Sequence, residues 1–208
     1  MNKYIVEFIG TFFLVFTVGC TVVGNGAGPL APLAIGAALM VMIFAGGYIS
    51  GGHYNPAVTL GVWLRGKCDP KDVVPYWIVQ IVGAALAAAC VKYLKAGTVV
   101  TPMTIAVFPA LLAEFLFTFA LVFVVLHVAT AKGTSGNSFY GLAIGFTVTT
   151  GAFSVGNISG GAFNPAVAVG ISIMGLSSWL NIWIYFLAEL VAGGLAAWVF
   201  KIVSPGDN

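Results

Sequence analysis

Two long stretches of this chain carry no Asp, Glu, Lys or Arg: the 57 residues between Glu7 and Arg65, and the 56 residues between Lys132 and Glu189. A helix that crosses a bilayer needs about 20 apolar residues, so each stretch holds two spans with roughly 15 residues to spare. Together with the apolar runs outside them, the pattern predicts six spans, near Tyr4–Gly24, Pro32–Ile49, Val73–Leu94, Val107–Val128, Phe139–Gly156 and Trp179–Lys201. The first reads as a span and not as a signal peptide, since no small-residue cleavage site leads from it into a soluble mature chain.

The apolar segments repeat. Glu7-Phe-Ile-Gly-Thr-Phe-Phe-Leu-Val-Phe-Thr-Val returns 107 positions later as Glu114-Phe-Leu-Phe-Thr-Phe-Ala-Leu-Val-Phe-Val-Val. Ile49-Ser-Gly-Gly-His-Tyr-Asn-Pro-Ala-Val-Thr-Leu-Gly returns 109 positions later as Ile158-Ser-Gly-Gly-Ala-Phe-Asn-Pro-Ala-Val-Ala-Val-Gly. Gln80-Ile-Val-Gly-Ala-Ala-Leu keeps that second offset to Glu189-Leu-Val-Ala-Gly-Gly-Leu. The chain is a duplication with three spans in each half. Because three is odd, the second copy enters the membrane from the opposite face, which makes an inverted repeat. The expected organisation is one domain, residues 1–208, with repeat 1 at about 1–96, a connecting loop around Ala96–Ile105, and repeat 2 at about 106–203.

The spare residues now have a place. Ser50-Gly51-Gly52-His53-Tyr54 is too rich in glycine for a helix, whereas Asn55 and Pro56 make a helix start: Asn accepts from free amides, and Pro at the first position has no amide to leave unpaired. The helix from Pro56 to about Leu64 is then about 14 Å long, half a bilayer. Pro165 to about Met174 repeats it from the other side. Irregular backbone at membrane depth is tolerated only where it is packed in protein or lines a watery passage. Two such helices present their positive N-terminal ends to one place, which opposes any cation, a proton included. Asn55 and Asn164 cap those ends, and their amide NH₂ groups are expected to donate to a passing oxygen, interrupting a proton wire.

Composition and charge narrow the class. The chain is 60% hydrophobic and 7% charged, with a mean hydropathy of +1.06; a soluble domain carries roughly 25% charged residues. With both termini on one side, that side collects Lys3, Arg65, Lys67, Lys71, Lys132 and Lys201 and the other only Lys92 and Lys95, which predicts cytoplasmic termini. The net charge of +2 reflects this bias, and no basic cluster points to nucleic acid. Cys20, Cys68 and Cys90 lack metal or redox spacing and read as small apolar fillers. No nucleophile–base pair, metal cluster or phosphate-binding loop is visible, so neither an enzyme nor a cofactor is expected.

The paired Asn-Pro-Ala motifs at Asn55, Pro56, Ala57 and Asn164, Pro165, Ala166, the leading glutamates and the inverted repeat resemble the aquaporin (major intrinsic protein) family over essentially the whole chain. The resemblance implies an all-α membrane fold with six tilted helices and two re-entrant half-helices. It also implies a pore in each monomer, a homotetramer in membrane lipid, and passage of water and small neutral solutes. It implies that Glu7 and Glu114 hold the half-helix loops through backbone hydrogen bonds, with Gln80 and Glu189 packed as further supports. His53 is either pore-lining or, as more often in that family, a loop stabiliser. His127 lies at a span end and carries no assigned function. The competing reading of Glu7 and Glu114 is a pair of proton-coupling carboxylates in a transporter.

Counting from the motifs, the family's four-residue constriction falls on Ile35, Ala152, Gly161 and Val167. Many relatives place Arg where Val167 stands, and water-selective ones often place His where Ala152 stands. Glycerol-conducting relatives carry Asp at the position of Ala168. The constriction is thus expected to be wider, less polar and uncharged, admitting water together with ammonia, urea, hydrogen peroxide or glycerol. The alternatives are a secondary transporter, a glycerol facilitator with little preference for water, and a structural membrane protein with a closed pore. Coupling by a transporter would need titratable groups along the path, and the uncharged stretches offer none.

Overall fold

The computed structural model describes residues 1–207. Within these residues eight α-helices follow one another: α1 (Asn2–Val22), α2 (Ala31–Ser50), α3 (Pro56–Leu64), α4 (Pro70–Leu94), α5 (Val107–Thr130), α6 (Tyr140–Ser159), α7 (Pro165–Ile173) and α8 (Ile182–Val203). Six are long and apolar enough to cross a membrane, and α3 and α7 are half-helices of nine residues each. Among the described residues there is no strand.

Helix ends differ from the apolar runs where a cap decides the boundary. The third span was expected from Val73, but the Asp69 side chain accepts from the Lys71 amide at 3.1 Å and Pro70 sits in the first turn, so α4 begins at Pro70. The expectation that Ser50 lies in the glycine-rich loop is corrected: Ser50 is the last residue of α2, and Ser159 is the last residue of α6. Gly51 and Gly160, at φ of 91° and 97°, close those helices in the left-handed conformation that a side chain disfavours.

The packing is inside out relative to a soluble bundle. Along α4, Val74, Ile78, Val82 and Leu86 face outward, while Gly83, Ala84, Ala87 and Ala88 face the interior. Lipid is as apolar as leucine, so close approach of small residues drives association between the helices. α1 packs chiefly on α4 and α2, α5 on α8 and α6, and α2 meets α6 across the pseudo-two-fold axis. The half-helices cross over. α3 packs mainly on α8, and α7 mainly on α4, each against the last long helix of the other repeat.

One glycine makes the crossing of α3 over α8 possible, and another brings α4 close against α1. A Cβ on Gly193 of α8 would lie 2.7 Å from the Ala57 carbonyl oxygen, and one on Gly83 of α4 2.7 Å from that of Phe8. Backbone oxygens cannot give way as a flexible side chain does. Gly193→Ala is therefore expected to destabilise the fold by about 1–3 kcal/mol. Gly194→Ala, whose Cβ would meet only Leu64 Cδ1 at 3.9 Å, should be neutral or slightly stabilising. Thermal unfolding of both variants in detergent, against the parent chain, checks the difference.

Candidate functional site

The two half-helices meet end to end at their N-termini, and the asparagines join them. Asn55 Oδ1 accepts from the amides of Ala57 at 2.8 Å and Val58 at 3.4 Å; Asn164 Oδ1 accepts from Ala166 at 2.9 Å and Val167 at 3.4 Å. Both caps are thus made. Each Nδ2 also crosses to the opposite repeat, Asn55 donating to the Phe163 carbonyl and Asn164 to the Tyr54 carbonyl, at 2.8 Å in both cases. An amide NH₂ has two hydrogens, so one of each pair is engaged and one is left. The expectation that the whole NH₂ group serves a passing oxygen is narrowed accordingly.

Tyr54 and Phe163 present those carbonyls because both are held at φ of 49°, a left-handed conformation costly for aromatic residues. Buried carboxylates impose it. Glu7 Oε1 accepts from Ser50 Oγ at 2.7 Å and the His53 amide at 2.9 Å, and its Oε2 accepts from the Tyr54 amide at 2.7 Å and Gln80 Nε2 at 2.8 Å. Glu114 Oε1 accepts from Ser159 Oγ at 2.6 Å and the Ala162 amide at 3.0 Å, and its Oε2 from the Phe163 amide at 2.7 Å. Tyr76 and Tyr185 hydroxyls donate to the Ser50 and Ser159 carbonyls, each at 2.7 Å. Both glutamates are fully buried, with their acceptor capacity matched to loop amides.

Gln80 and Glu189, expected to pack alike, differ. Gln80 Nε2 donates to Glu7 and, at 3.1 Å, to Thr59 Oγ1, whereas neither oxygen of Glu189 has a hydrogen-bond partner. His53 touches both the loop and the cavity. Its amide binds Glu7, its Nδ1 lies 3.1 Å from Thr59 Oγ1, and its ring lies against Tyr76 and lines the passage. His127 lies between the rings of Phe123 and Phe200, away from this network.

Around the asparagines lies a slender cavity with about 60 Å³ open to the centres of water-sized molecules, lined by residues of both repeats. One water needs about 10–15 Å³ by this measure, so a short file fits. Ile35, Ala152, Gly161 and Val167 all line it, brought together from α2, α6, the second loop and α7. Its remaining wall is aliphatic, with Leu14, Val18, Leu39, Val58, Leu121 and Ile144. Among the described residues no Asp, Glu, Lys or Arg lines it, but His53 does, which corrects the expectation that the uncharged stretches bring no titratable group to the path. His53 and Val125 also line a vestibule of about 450 Å³, whose rim holds Lys3, Lys67 and Asp72. Cys68 borders the vestibule, and burial pushes its thiol up to about 11, which leaves little reactive thiolate.

The serines, tyrosines and the Tyr54 and Phe163 carbonyls were not singled out from sequence. The signal was present, since Ser50, Tyr54 and Tyr76 recur as Ser159, Phe163 and Tyr185 at the same offset of 109 as the asparagines.

A family model described as major intrinsic protein matches residues 1–200. The chain belongs to the major intrinsic protein family. Among its relatives, "Glycerol uptake facilitator protein-like 6" of Lactiplantibacillus plantarum is 39% identical, with 100% of each chain covered. "Probable aquaporin TIP2-2" of Oryza sativa subsp. japonica is 36% identical over 98% of this chain and 87% of the relative. The X-ray structure of the aquaglyceroporin from Plasmodium falciparum shares the fold, with a TM-score of 0.83 at 23% identity over 98% and 97% of the two chains. As a member of this family the chain is a multi-pass membrane protein and a passive channel for water or small solutes, not an enzyme.

The carboxylate network sets a clear expectation for Glu7→Gln. The amide turns a donor toward donors, and each hydrogen bond to a charged group that is lost costs about 1.5–3 kcal/mol. Lower thermal stability and a collapse of osmotic water permeability in vesicles are the expected readings.

Proposed function

We propose that this chain forms a pore for water and for small neutral solutes, including ammonia, urea, hydrogen peroxide and glycerol, and excludes protons and ions at Asn55 and Asn164. One observation carries the reading: the head-to-head half-helix caps lie in a lumen walled by aliphatic side chains and free of fixed charge. Each helix end contributes about half a unit of positive charge. A cation entering would meet both while losing its water shell, whereas a neutral solute meets neither penalty. A water that accepts from the free hydrogens of both amides has its lone pairs taken, and cannot pass a proton along.

In this reading Asn55, Pro56, Ala57, Asn164, Pro165 and Ala166 form the barrier. Ile35, Ala152, Gly161 and Val167 set the solute range, and Glu7, Glu114, His53, Gln80 and Glu189 support the loops. The chain acts as one domain of two repeats, assembled as a homotetramer through its outward apolar faces. In the same reading the termini lie on the cytoplasmic side of a cell membrane, a reading supported by Lys3 and Lys67 around one vestibule and Lys132 beside Lys67, against Lys92 and Lys95 in a separate pocket.

A second reading, a glycerol facilitator with little water preference, is favoured by the relative of that name at 39% identity. Stopped-flow light scattering on reconstituted vesicles, comparing water, glycerol, urea and ammonia, separates the two. Water flux well above empty vesicles supports the first reading, and glycerol flux without it supports the second. Val167→Arg should cut urea and glycerol flux severalfold while water flux survives; unchanged urea and glycerol flux contradicts the assigned constriction. Replacing both Asn55 and Asn164 by Asp should admit cations, measured as conductance in planar bilayers.

A further inference from the structure

The two loop supports are not chemically equal. In the first repeat the Glu7 carboxylate faces the amide of Gln80, and in the second the Glu114 carboxyl faces the carboxyl of Glu189. Both members of the second pair are fully buried. Glu114 accepts from three donors on the loop it supports. Glu189 faces the Glu114 carboxyl and the backbone amide of Asn164, yet neither of its oxygens completes a hydrogen bond to an available donor. Two carboxylates in contact, one without a donor and away from water, cannot both stay ionised. A carboxyl against a carboxyl forms a hydrogen bond only with a proton between them.

We propose that Glu189 is held protonated and donates that proton to the Glu114 carboxylate, so that each re-entrant loop hangs on one buried negative charge. The donors decide which partner is neutral, because Glu114 has three hydrogen bonds favouring its anion and Glu189 has none. A neutral carboxylic acid then does the work of the Gln80 amide, with one donor in place of two. One donor is enough here. Gln80 serves both Glu7 and Thr59, and the counterpart of Thr59 in the second repeat is Ala168, which has no hydroxyl. The change from Gln to Glu and the change from Thr to Ala thus match each other.

Among the described residues the surroundings supply no other partner. α7, packed on α8, has no titratable residue, and Glu114 faces Glu189 from α5. Tyr185, one turn away, gives its hydroxyl to the Ser159 carbonyl. Arg65, just past the end of α3, and His127 of α5 both lie against Phe200, eleven residues further along α8, about 16 Å at 1.5 Å per residue. Lys201 and Asp207 lie beyond that point in the chain. Glu189 does not line the cavity, so it is a positioning residue that acts on Asn164 through Glu114 and the loop.

The test is infrared spectroscopy of the full chain in lipid vesicles at neutral pH. The proposal rests on the loop-support reading of Glu114, and the spectrum of the parent chain is independent of which solute passes. A carbonyl band of a protonated carboxylic acid, shifted in D₂O, is expected in the parent, absent in Glu189→Gln and retained in Glu114→Gln. Gln80→Glu should add a second such band, because it builds the same pair in the first repeat. No band in the parent, or a band that survives Glu189→Gln and vanishes with Glu114→Gln, overturns the proposal. Osmotic water permeability gives a second reading: Glu189→Gln should pass severalfold more water than Glu189→Leu, and equal flux would overturn the donor role.

Discussion

Backbone amides and carbonyls that leave a helix at the middle of a bilayer have no lipid partner, and each one left unmet costs several kcal/mol. The rest of this fold answers that constraint. Two chain segments leave helical geometry there, and their amides find the carboxylates of Glu7 and Glu114 while their carbonyls find the asparagine amides of the opposite repeat. A buried carboxylate is expensive alone, but one that accepts three or four hydrogen bonds is paired in every direction. In the loop network the carboxylates that accept these bonds are Glu7 and Glu114, and the lumen itself carries no fixed charge.

The cross-repeat bonds also explain why the molecule is one unit. Asn55 closes the loop of the second repeat and Asn164 that of the first, while α3 packs on α8 and α7 on α4. Neither repeat satisfies its own loop without the other. Gly193 lets the α8 backbone approach α3 where that half-helix is wedged between repeats, and Gly83 lets α4 approach α1 within the first repeat. Strain at Tyr54 and Phe163 is fixed by the same groups that aim their carbonyls at the asparagines, so stability and the shape of the passage share one set of contacts.

Much of this was legible in the residues because the membrane leaves few options. Charge-free stretches and the apolar runs outside them predicted six spans, and the Asn-Pro pairs placed the half-helix starts at Pro56 and Pro165, where the structure has them. Boundaries set by side-chain hydrogen bonds were less visible, as at Asp69, where the cap extends α4 beyond the apolar run. Ser50 looked like loop by composition, yet it ends α2 because its hydroxyl both donates to Glu7 and accepts from the Gly52 amide. The positions now placed together around the lumen, Ile35, Ala152, Gly161 and Val167, could be counted from the motifs, but the aliphatic wall could not. Val18 and Ile144 are like any other span residue until helix rotation is known.

In the proposed function, buried charge holds open a passage for neutral molecules that itself offers no path to a proton. The most direct measurement records both fluxes at once, osmotic shrinkage by light scattering and internal pH by an entrapped dye, in vesicles containing the chain and in empty ones. Water flux well above the empty vesicles, with a proton leak equal to theirs, is the expected result. Water flux no faster than in empty vesicles, or fast water flux accompanied by a raised proton leak, would contradict it.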